Sequence, residues 1–181
     1  MASRIALLRG VNLGKARRVL MADVRAVFES LGWREVRSLG QSGNLVFAAD
    51  GADDGELEAA AEQALLASLT LTTEVVVRRA EAWRAMIAAN PFPNEAVADP
   101  SHLVAMVLKS EPRPDAEAAM AAVPGRERAR VVGRAAYIVY PDGIAGVRLI
   151  GATLDKALGA RGTGRNWNTV VKLAALAAAP P

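Results

Sequence analysis

The chain has 181 residues, of which 52% are hydrophobic and 23% charged, a balance typical of a folded globular protein rather than a disordered one. It has no cysteine, which excludes disulfides, thiol nucleophiles and thiolate metal sites. The formal net charge is +3, and the apolar runs are too short for a membrane-spanning helix or a signal peptide, so we expect a cytoplasmic protein with no membrane partner.

The first half predicts alternating strands and helices. Residues 5–9 form a short apolar run, which is typical of a buried strand. The next apolar residues recur at helical spacing up to Gly32, which fits a left-handed helix cap. A hairpin is predicted for residues 33–39 and 44–48, a helix from Asp53 onward, and a strand for residues 73–78. The order is β-α-β-β-α-β, the ferredoxin-like or split βαβ arrangement.

The second half predicts a similar, shorter series. Two prolines in Asn90-Pro91-Phe92-Pro93 end a helix over 81–89. The elements predicted next are a strand over 102–108, a helix over 115–123 and a hairpin formed by 126–132 and 135–140. Two helices, over 153–158 and 164–178, end the series. The sequence thus predicts an α+β fold of two ferredoxin-like halves packed together, with an extra C-terminal helix. The predicted parts are the N-terminal half 1–78, a connecting helix and Pro-rich loop 79–101, and the C-terminal half 102–181.

Three short polar strings stand out: RGVNLG at 9–14, QSGN at 41–44 and RNWNT at 165–169. RGVNLG follows the first strand and can bind an anion through backbone N–H groups, although it lacks the spacing of the Walker and dinucleotide motifs. QSGN lies in the hairpin turn, which explains its glycine and asparagine but does not require its other two residues.

RNWNT predicts an anion site at the start of the last helix. Thr163 is the predicted N-cap residue of this helix, whose first N–H groups carry partial positive charge. Arg165 adds a guanidinium group suited to phosphate or carboxylate, while Trp167 is expected to pack in the core.

Charge supports an anion site if the three strings converge. Residues 1–40 carry a net charge of +5 and residues 126–172 carry +6, whereas residues 41–78 carry −6. A surface formed by the two basic segments would attract anions. The candidate ligand-binding residues are Arg9, Asn12, Lys15, Gln41, Ser42, Asn44, Arg165, Asn166, Asn168 and Thr169.

Catalytic residues are not predicted, because no nucleophile or general base stands out, and whether the protein is an enzyme stays open. The single histidine, His102, begins an apolar strand and is interpreted as a structural residue. With one histidine and no cysteine, we expect no zinc site, and the sequence implies no cofactor.

Several motifs occur in one order along nearly the whole chain: RGVNLG, MADVR at 21–25, QSGNLVF at 41–47, NPFP at 90–93 and TGRNWNTV at 163–170. This set resembles the bacterial family called domain of unknown function 1697. The resemblance implies a two-part α+β fold built of ferredoxin-like halves. It implies no function, because the family is named for lacking one.

Three functions fit these observations. The first is a binder, or a processor, of a small anionic ligand such as a nucleotide or a phosphorylated metabolite. The second is a structural or protein-interaction module, in which the polar strings lock the two halves together through satisfied hydrogen bonds. The third is a nucleic-acid-binding module, which the pI near 9.7 favours. The near absence of aromatic residues from the first and third strands disfavours RNA recognition by stacking.

Overall fold

The computed structural model describes residues 2–12 and 18–180 and divides into two compact units. Unit 1 comprises residues 1–85 together with 172–181, and unit 2 comprises residues 86–171. Across the described part of the chain, no helix is long and apolar enough to cross a membrane.

Unit 1 contains a four-stranded antiparallel sheet with two helices. Its elements are β1 Ala2–Leu8, α1 Met21–Ser30, β2 Arg34–Ser38, β3 Asn44–Ala49, α2 Asp54–Leu69 and β4 Val75–Arg79. The strand order is β2-β3-β1-β4, so β1 pairs with both β3 and β4. The predicted order β-α-β-β-α-β is confirmed for this half. Gly32, after α1, has a φ of +80°, as the predicted left-handed cap requires.

The core of unit 1 lies between its sheet and its helices, where three aromatic rings meet. Trp33 stacks on Phe47 with ring centroids 4.4 Å apart, and Phe28 meets Trp33 edge-on at 4.8 Å. All three side chains are buried, and each such burial stabilises the fold by roughly 1.5–3 kcal/mol. This cluster fixes α1 against the hairpin that carries QSGN.

Unit 2 has the same order of elements and the same strand order. Helix α3, Ala80–Ala88, crosses from unit 1, and the elements that follow are α4 Pro93–Ala98, β5 Leu103–Leu108, α5 Ala116–Ala121, β6 Arg128–Val132, β7 Ala135–Val139, α6 Gly151–Leu158 and β8 Gly162–Asn166. Its antiparallel sheet has the order β6-β7-β5-β8. Two similar halves, each with one four-stranded antiparallel sheet, confirm the predicted α+β class.

Strand β8 corrects the sequence prediction for the end of the chain. Residues 164–166 were expected to be helical, but they pair with β5, and α7 begins only at Trp167 and ends at Ala178. The strand needs glycine for close packing, since a Cβ on Gly162 would lie 2.4 Å from the carbonyl oxygen of Val107. Glycine therefore marks a crowded strand here rather than a helix boundary. Helix α4, with Pro93 in its first turn, is a second element that the sequence reading missed.

Residues 172–180 return to unit 1. There Arg37 of β2 donates from Nη2 to the carbonyl oxygens of Leu176 and Ala179, at 3.0 and 3.2 Å, and from Nη1 to that of Pro180 at 3.2 Å. Leu176 lies in the last turn of α7, where carbonyl groups lack a helical partner, and Ala179 and Pro180 follow the helix. The guanidinium of Arg37 therefore holds the end of the last helix, together with the hydroxyl of Ser3, which donates to the carbonyl oxygen of Ala177 at 3.2 Å.

Candidate functional site

RGVNLG and QSGN lie against each other in unit 1. The N–H of Leu8 donates to the carbonyl oxygen of Gly43 at 2.8 Å. A Cβ on Gly43 would lie 2.6 Å from Cγ2 of Val11 and 2.7 Å from Cβ of Leu8, and its φ is +72°. The glycine of QSGN is therefore required by close packing against the RGVNLG loop as well as by its backbone angle.

Asn12 makes the polar contacts that tie the first loop together. Its Nδ2 donates to the carbonyl oxygen of Val19 at 3.0 Å and to that of Gln41 at 2.5 Å. Its Oδ1 accepts from the N–H of Val19 at 2.8 Å. The amide therefore holds Asn12 beside Val19 and joins both to the QSGN turn. Candidate residue Lys15 lies outside the described residues.

The other candidates in unit 1 differ in exposure. Arg9 is half-buried, and its Nε lies 3.7 Å from Oε2 of Glu74. Asn44 is buried and donates from Nδ2 to the carbonyl oxygen of Leu39 at 3.2 Å. Gln41 and Ser42 have exposed side chains. The structure thus brings Arg9, Asn12, Gln41, Ser42 and Asn44 to neighbouring loops, where backbone groups already occupy the two asparagine amides.

Arg165 lies in strand β8 of unit 2. Its Nη1 donates to Oγ1 of Thr163 at 2.6 Å and to the carbonyl oxygen of Gly164 at 2.8 Å. Burial lowers the pKa of Arg165 to about 10, so the group stays charged at neutral pH. Thr163 is a strand residue that accepts from this arginine, and the prediction that it caps the last helix is wrong.

Asn166 is the residue that caps α7. Its Oδ1 accepts from the N–H and from the hydroxyl of Thr169, both at 3.0 Å. A side chain that accepts from the third residue of a helix is the usual N-cap arrangement. Trp167 is buried near Tyr137, as predicted, with ring centroids 6.3 Å apart, whereas Asn168 is exposed.

A cavity of about 450 Å³ lies in unit 2, on the opposite face of β8 from Arg165. Side chains on a strand point alternately to the two faces of the sheet, and Asn166 and Gly164 line the cavity whereas Arg165 does not. Gly164 leaves room there, because a Cβ would lie 3.0 Å from Cγ1 of Val104. The walls are mainly apolar, with Val104, Met106, Ile144, Ile150 and Leu154.

Polar groups gather at one end of this cavity. Strand β8 ends there with Asn166, and β5 begins there after His102. Strands β7 and β8 both pair antiparallel with β5 and therefore run in the same direction. Helix α6 connects the end of β7 to the start of β8, so it begins near the end of the sheet where β8 ends, with Gly151 on the cavity wall. Ile150 precedes α6 and offers no side-chain cap to its first N–H groups. The polar end therefore combines an amide, an imidazole and an uncapped helix start.

His102 pairs with a carboxylate at the rim of this cavity. Its Nδ1 lies 2.6 Å from Oδ2 of Asp99, and the hydroxyl of Ser101 donates to Oδ1 of Asp99 at 2.7 Å. These hydrogen bonds, from Ser101 first and His102 second, hold the pKa of Asp99 below its ordinary value. His102 was not among the predicted site residues. The sequence signal was the spacing of aspartate and histidine by three residues just before a strand.

Among the described residues, no three His, Cys, Asp or Glu side chains form a group able to hold a metal ion. Burial raises the pKa of Tyr137 to about 12 and that of Tyr140 further, and their hydroxyls donate to the carbonyl oxygens of Met86 and Leu149. Both phenols are therefore structural hydrogen-bond donors at neutral pH.

Comparison with known proteins identifies the fold and the family. The conserved bacterial protein SP0830 from Streptococcus pneumoniae has a similar structure, with a TM-score of 0.74, 17% sequence identity, and coverage of 97% of this chain and 98% of that one. At this identity the likeness shows a shared fold. No curated protein matches the sequence. The family model described as protein of unknown function (DUF1697) matches residues 1–137, and the chain therefore belongs to the DUF1697 family.

Proposed function

We propose that the protein binds a small molecule with an anionic head and a largely apolar body, and that the cavity of unit 2 is the binding site. The observation that carries this proposal is the gathering of hydrogen-bond donors at one end of an otherwise apolar cavity. Ligand sites in proteins commonly have this composition, with a few placed polar groups in an apolar pocket.

The size of the cavity supports a metabolite-sized ligand. Its volume of about 450 Å³ falls within the roughly 300–1,000 Å³ that small-molecule sites occupy. Ile144 and Ile150 line it and have exposed side chains, 61% and 41% accessible, which would be covered by the apolar part of a ligand. Burying such surface is favourable by about 25 cal/mol per Å².

The donors at the polar end support an anionic head. Asn166 uses Oδ1 to cap α7, which leaves its Nδ2 to donate to a ligand. At the same end of the cavity, the first N–H groups of α6 have no side-chain cap and carry the partial positive charge of a helix start. The surrounding segment 126–172 has a net charge of +6, which favours the approach of anions.

A structural role is the second candidate for the strings in unit 1. Asn12 satisfies its amide on backbone groups of Val19 and Gln41, which is the pattern of a residue that holds two loops together. The ligand proposal therefore rests on unit 2 and not on RGVNLG or QSGN.

The test is a titration of the 15N-labelled protein with adenosine monophosphate, phenyl phosphate and phenylacetate, followed by amide chemical shifts and calorimetry. Asn166→Asp keeps the helix cap but replaces the donating amide with a carboxylate. We expect at least about tenfold weaker binding of the anionic probe, since a hydrogen bond to a charged group contributes roughly 1.5–3 kcal/mol.

Asn168→Asp is the matched control, because it adds the same charge two residues later at an exposed position that does not line the cavity. Binding should change at most about threefold in this variant, as solvent and salt screen an exposed charge. Equal loss in both variants would mean that general charge, and not the amide of Asn166, attracts the probes. Absence of any shift at Gly151, Leu154 or Asn166 with all three probes would remove the proposal.

A further inference from the structure

The pairing of His102 with Asp99 sets which imidazole nitrogen carries the proton. Nδ1 lies 2.6 Å from a carboxylate oxygen that can only accept, so Nδ1 must be the donor in this contact. In the neutral ring the other nitrogen, Nε2, is then an acceptor. Asp99 therefore positions His102 with a basic nitrogen directed away from the carboxylate.

Nε2 faces Gly143, another residue that lines the cavity. His102 lines the cavity together with Gly143, which lies in the turn after β7. A Cβ on Gly143 would lie 3.5 Å from Nε2, an ordinary van der Waals distance, so Nε2 is the ring nitrogen next to the part of the cavity wall that Gly143 forms. The turn itself accounts for glycine through its φ of +77°.

We propose that Nε2 of His102 accepts a hydrogen bond from a hydroxyl or N–H group of the ligand, and that Asp99 is a positioning residue for it. The inference rests on the proposed function and narrows its ligand class. Donors at Asn166 and at the start of α6 suit the anionic head, while the acceptor at His102 suits a hydroxyl or N–H group nearby. Hydroxy acids and nucleotides carry both kinds of group.

The tautomer of His102 can be measured without a ligand. The chain has one histidine, so the imidazole 15N signals belong to a single residue. In the neutral ring, we expect protonated Nδ1 and unprotonated Nε2 in the wild type. Asp99→Ala should move the ring toward the Nε2–H form, whereas Ser101→Ala, which removes only the other partner of Asp99, should not. A wild-type ring in the Nε2–H form would overturn the inference.

Ligand recognition is tested with mandelate, as both enantiomers, and phenylacetate, which differ only by the hydroxyl group. The wild type should bind one enantiomer of mandelate roughly two- to tenfold more tightly than phenylacetate, the range expected for one added hydrogen bond. His102→Phe should abolish this preference, and His102→Gln, whose amide oxygen is again an acceptor, should restore part of it.

The outcomes separate the two proposals. If phenylacetate shifts the cavity amides but neither mandelate enantiomer binds more tightly, the ligand site stands and the role of His102 fails. If the preference persists in His102→Phe, the hydroxyl is recognised elsewhere and the role of His102 again fails. If no anionic probe shifts the cavity amides, the proposed function is wrong and the role of His102 falls with it, whichever tautomer is found.

Discussion

Asn12 shows how a residue in a ligand-like motif can serve the fold. Its side chain makes three hydrogen bonds to backbone groups, and its φ is +55°, a left-handed conformation that asparagine tolerates better than most residues. The QSGN turn supplies one of the two backbone acceptors, the carbonyl oxygen of Gln41, and not a side chain. The two polar strings of unit 1 are thus connected by main-chain carbonyls.

Asn12→Asp separates the structural from the ligand interpretation. The aspartate can still accept from Val19 N–H but cannot donate to the carbonyl oxygens of Val19 and Gln41, so we expect a loss of roughly 1–3 kcal/mol in the free energy of unfolding. Gln41→Ala removes only an exposed side chain and should stay within about 0.5 kcal/mol. Urea unfolding measures both, and equal stabilities would contradict the structural role of Asn12.

The two buried tyrosines make the stability of the folded protein depend on pH in the alkaline range. Burial is the main cause that raises the pKa of Tyr137 to about 12, and Tyr140 is raised beyond that. A raised pKa means that the folded state prefers the neutral phenol. The contribution of the neutral phenol to the free energy of unfolding is complete below about pH 10, the pKa of tyrosine in the unfolded chain. It is lost as pH rises toward 12.

We therefore expect no phenolate absorbance from the folded protein at pH 10 to 11, where an exposed tyrosine is half ionised or more. The free energy of unfolding should begin to fall over the same range, and the loss from Tyr137 should reach at most roughly 2–3 kcal/mol once pH exceeds 12. Tyr137→Phe should flatten this fall, apart from the contribution of Tyr140. Ultraviolet titration in native buffer and in denaturant checks both statements, and half-ionisation near pH 10 in native buffer would contradict them.

At the scale of elements, the turn between β2 and β3 contains two glycines with different constraints. Gly40 has a φ of +66° and open space at its Cβ position, whereas Gly43 has a φ of +72° and would place a Cβ within 2.6 Å of Val11. Gly40 is required only by the backbone. Gly43 is required by the backbone and by the loop packed against it.

Alanine at each position separates these two causes. Gly40→Ala should cost roughly 1–2 kcal/mol, the penalty of a left-handed alanine. Gly43→Ala should cost clearly more, because the clash adds overpacking of about 1–3 kcal/mol. Comparison of the two midpoints in urea is the measurement. A Gly43→Ala variant no less stable than Gly40→Ala would show that the loop moves aside freely.

Which elements were predictable depends on how local their causes are. The hairpin, the cap at Gly32 and the helix beginning at Asp53 follow from neighbouring residues; Asp53 and Glu56 even form a reciprocal capping box. Strand β8 was missed because its glycines are required by close packing against Val107 and Val104 on β5, more than fifty residues away in the chain. The cap at Asn166 was misassigned to Thr163 for the same reason, since the helix start depends on where that strand ends.

The candidate site was only partly accessible from sequence. Polar residues in RNWNT include Asn166, which lines the cavity, but alternation in the strand puts Arg165 on the other face. His102 was interpreted as structural because its place in the candidate site depends on two features that the sequence does not show. These are the turn that brings Asp99 to Nδ1 and a cavity formed by residues distant along the chain. Spacing along the chain does not report such a cavity.

At the scale of the whole molecule, the end of α7 belongs to unit 1, where it is held by Arg37. Arg37→Ala should free the carbonyls of Leu176, Ala179 and Pro180 and raise amide hydrogen exchange over residues 176–179. Arg37→Lys should rescue this only in part, because an ammonium group lacks the planar fork that reaches several acceptors. Arg34→Ala, an exposed position in the same strand, should leave exchange unchanged. Equal exchange in all three variants would mean that other contacts secure the helix end.

The division of the chain also sets an order of events during synthesis. Unit 2 is one continuous stretch, whereas unit 1 needs residues from both sides of it. Arg37 precedes its acceptor Leu176 by 139 residues, which a ribosome adding about 5–20 residues per second takes about 7–28 s to make. For that time the guanidinium lacks the three acceptors that it has in the folded protein. Unit 1, although translated first, is finished last, and it is the part of the nascent chain left longest to chaperones and proteases.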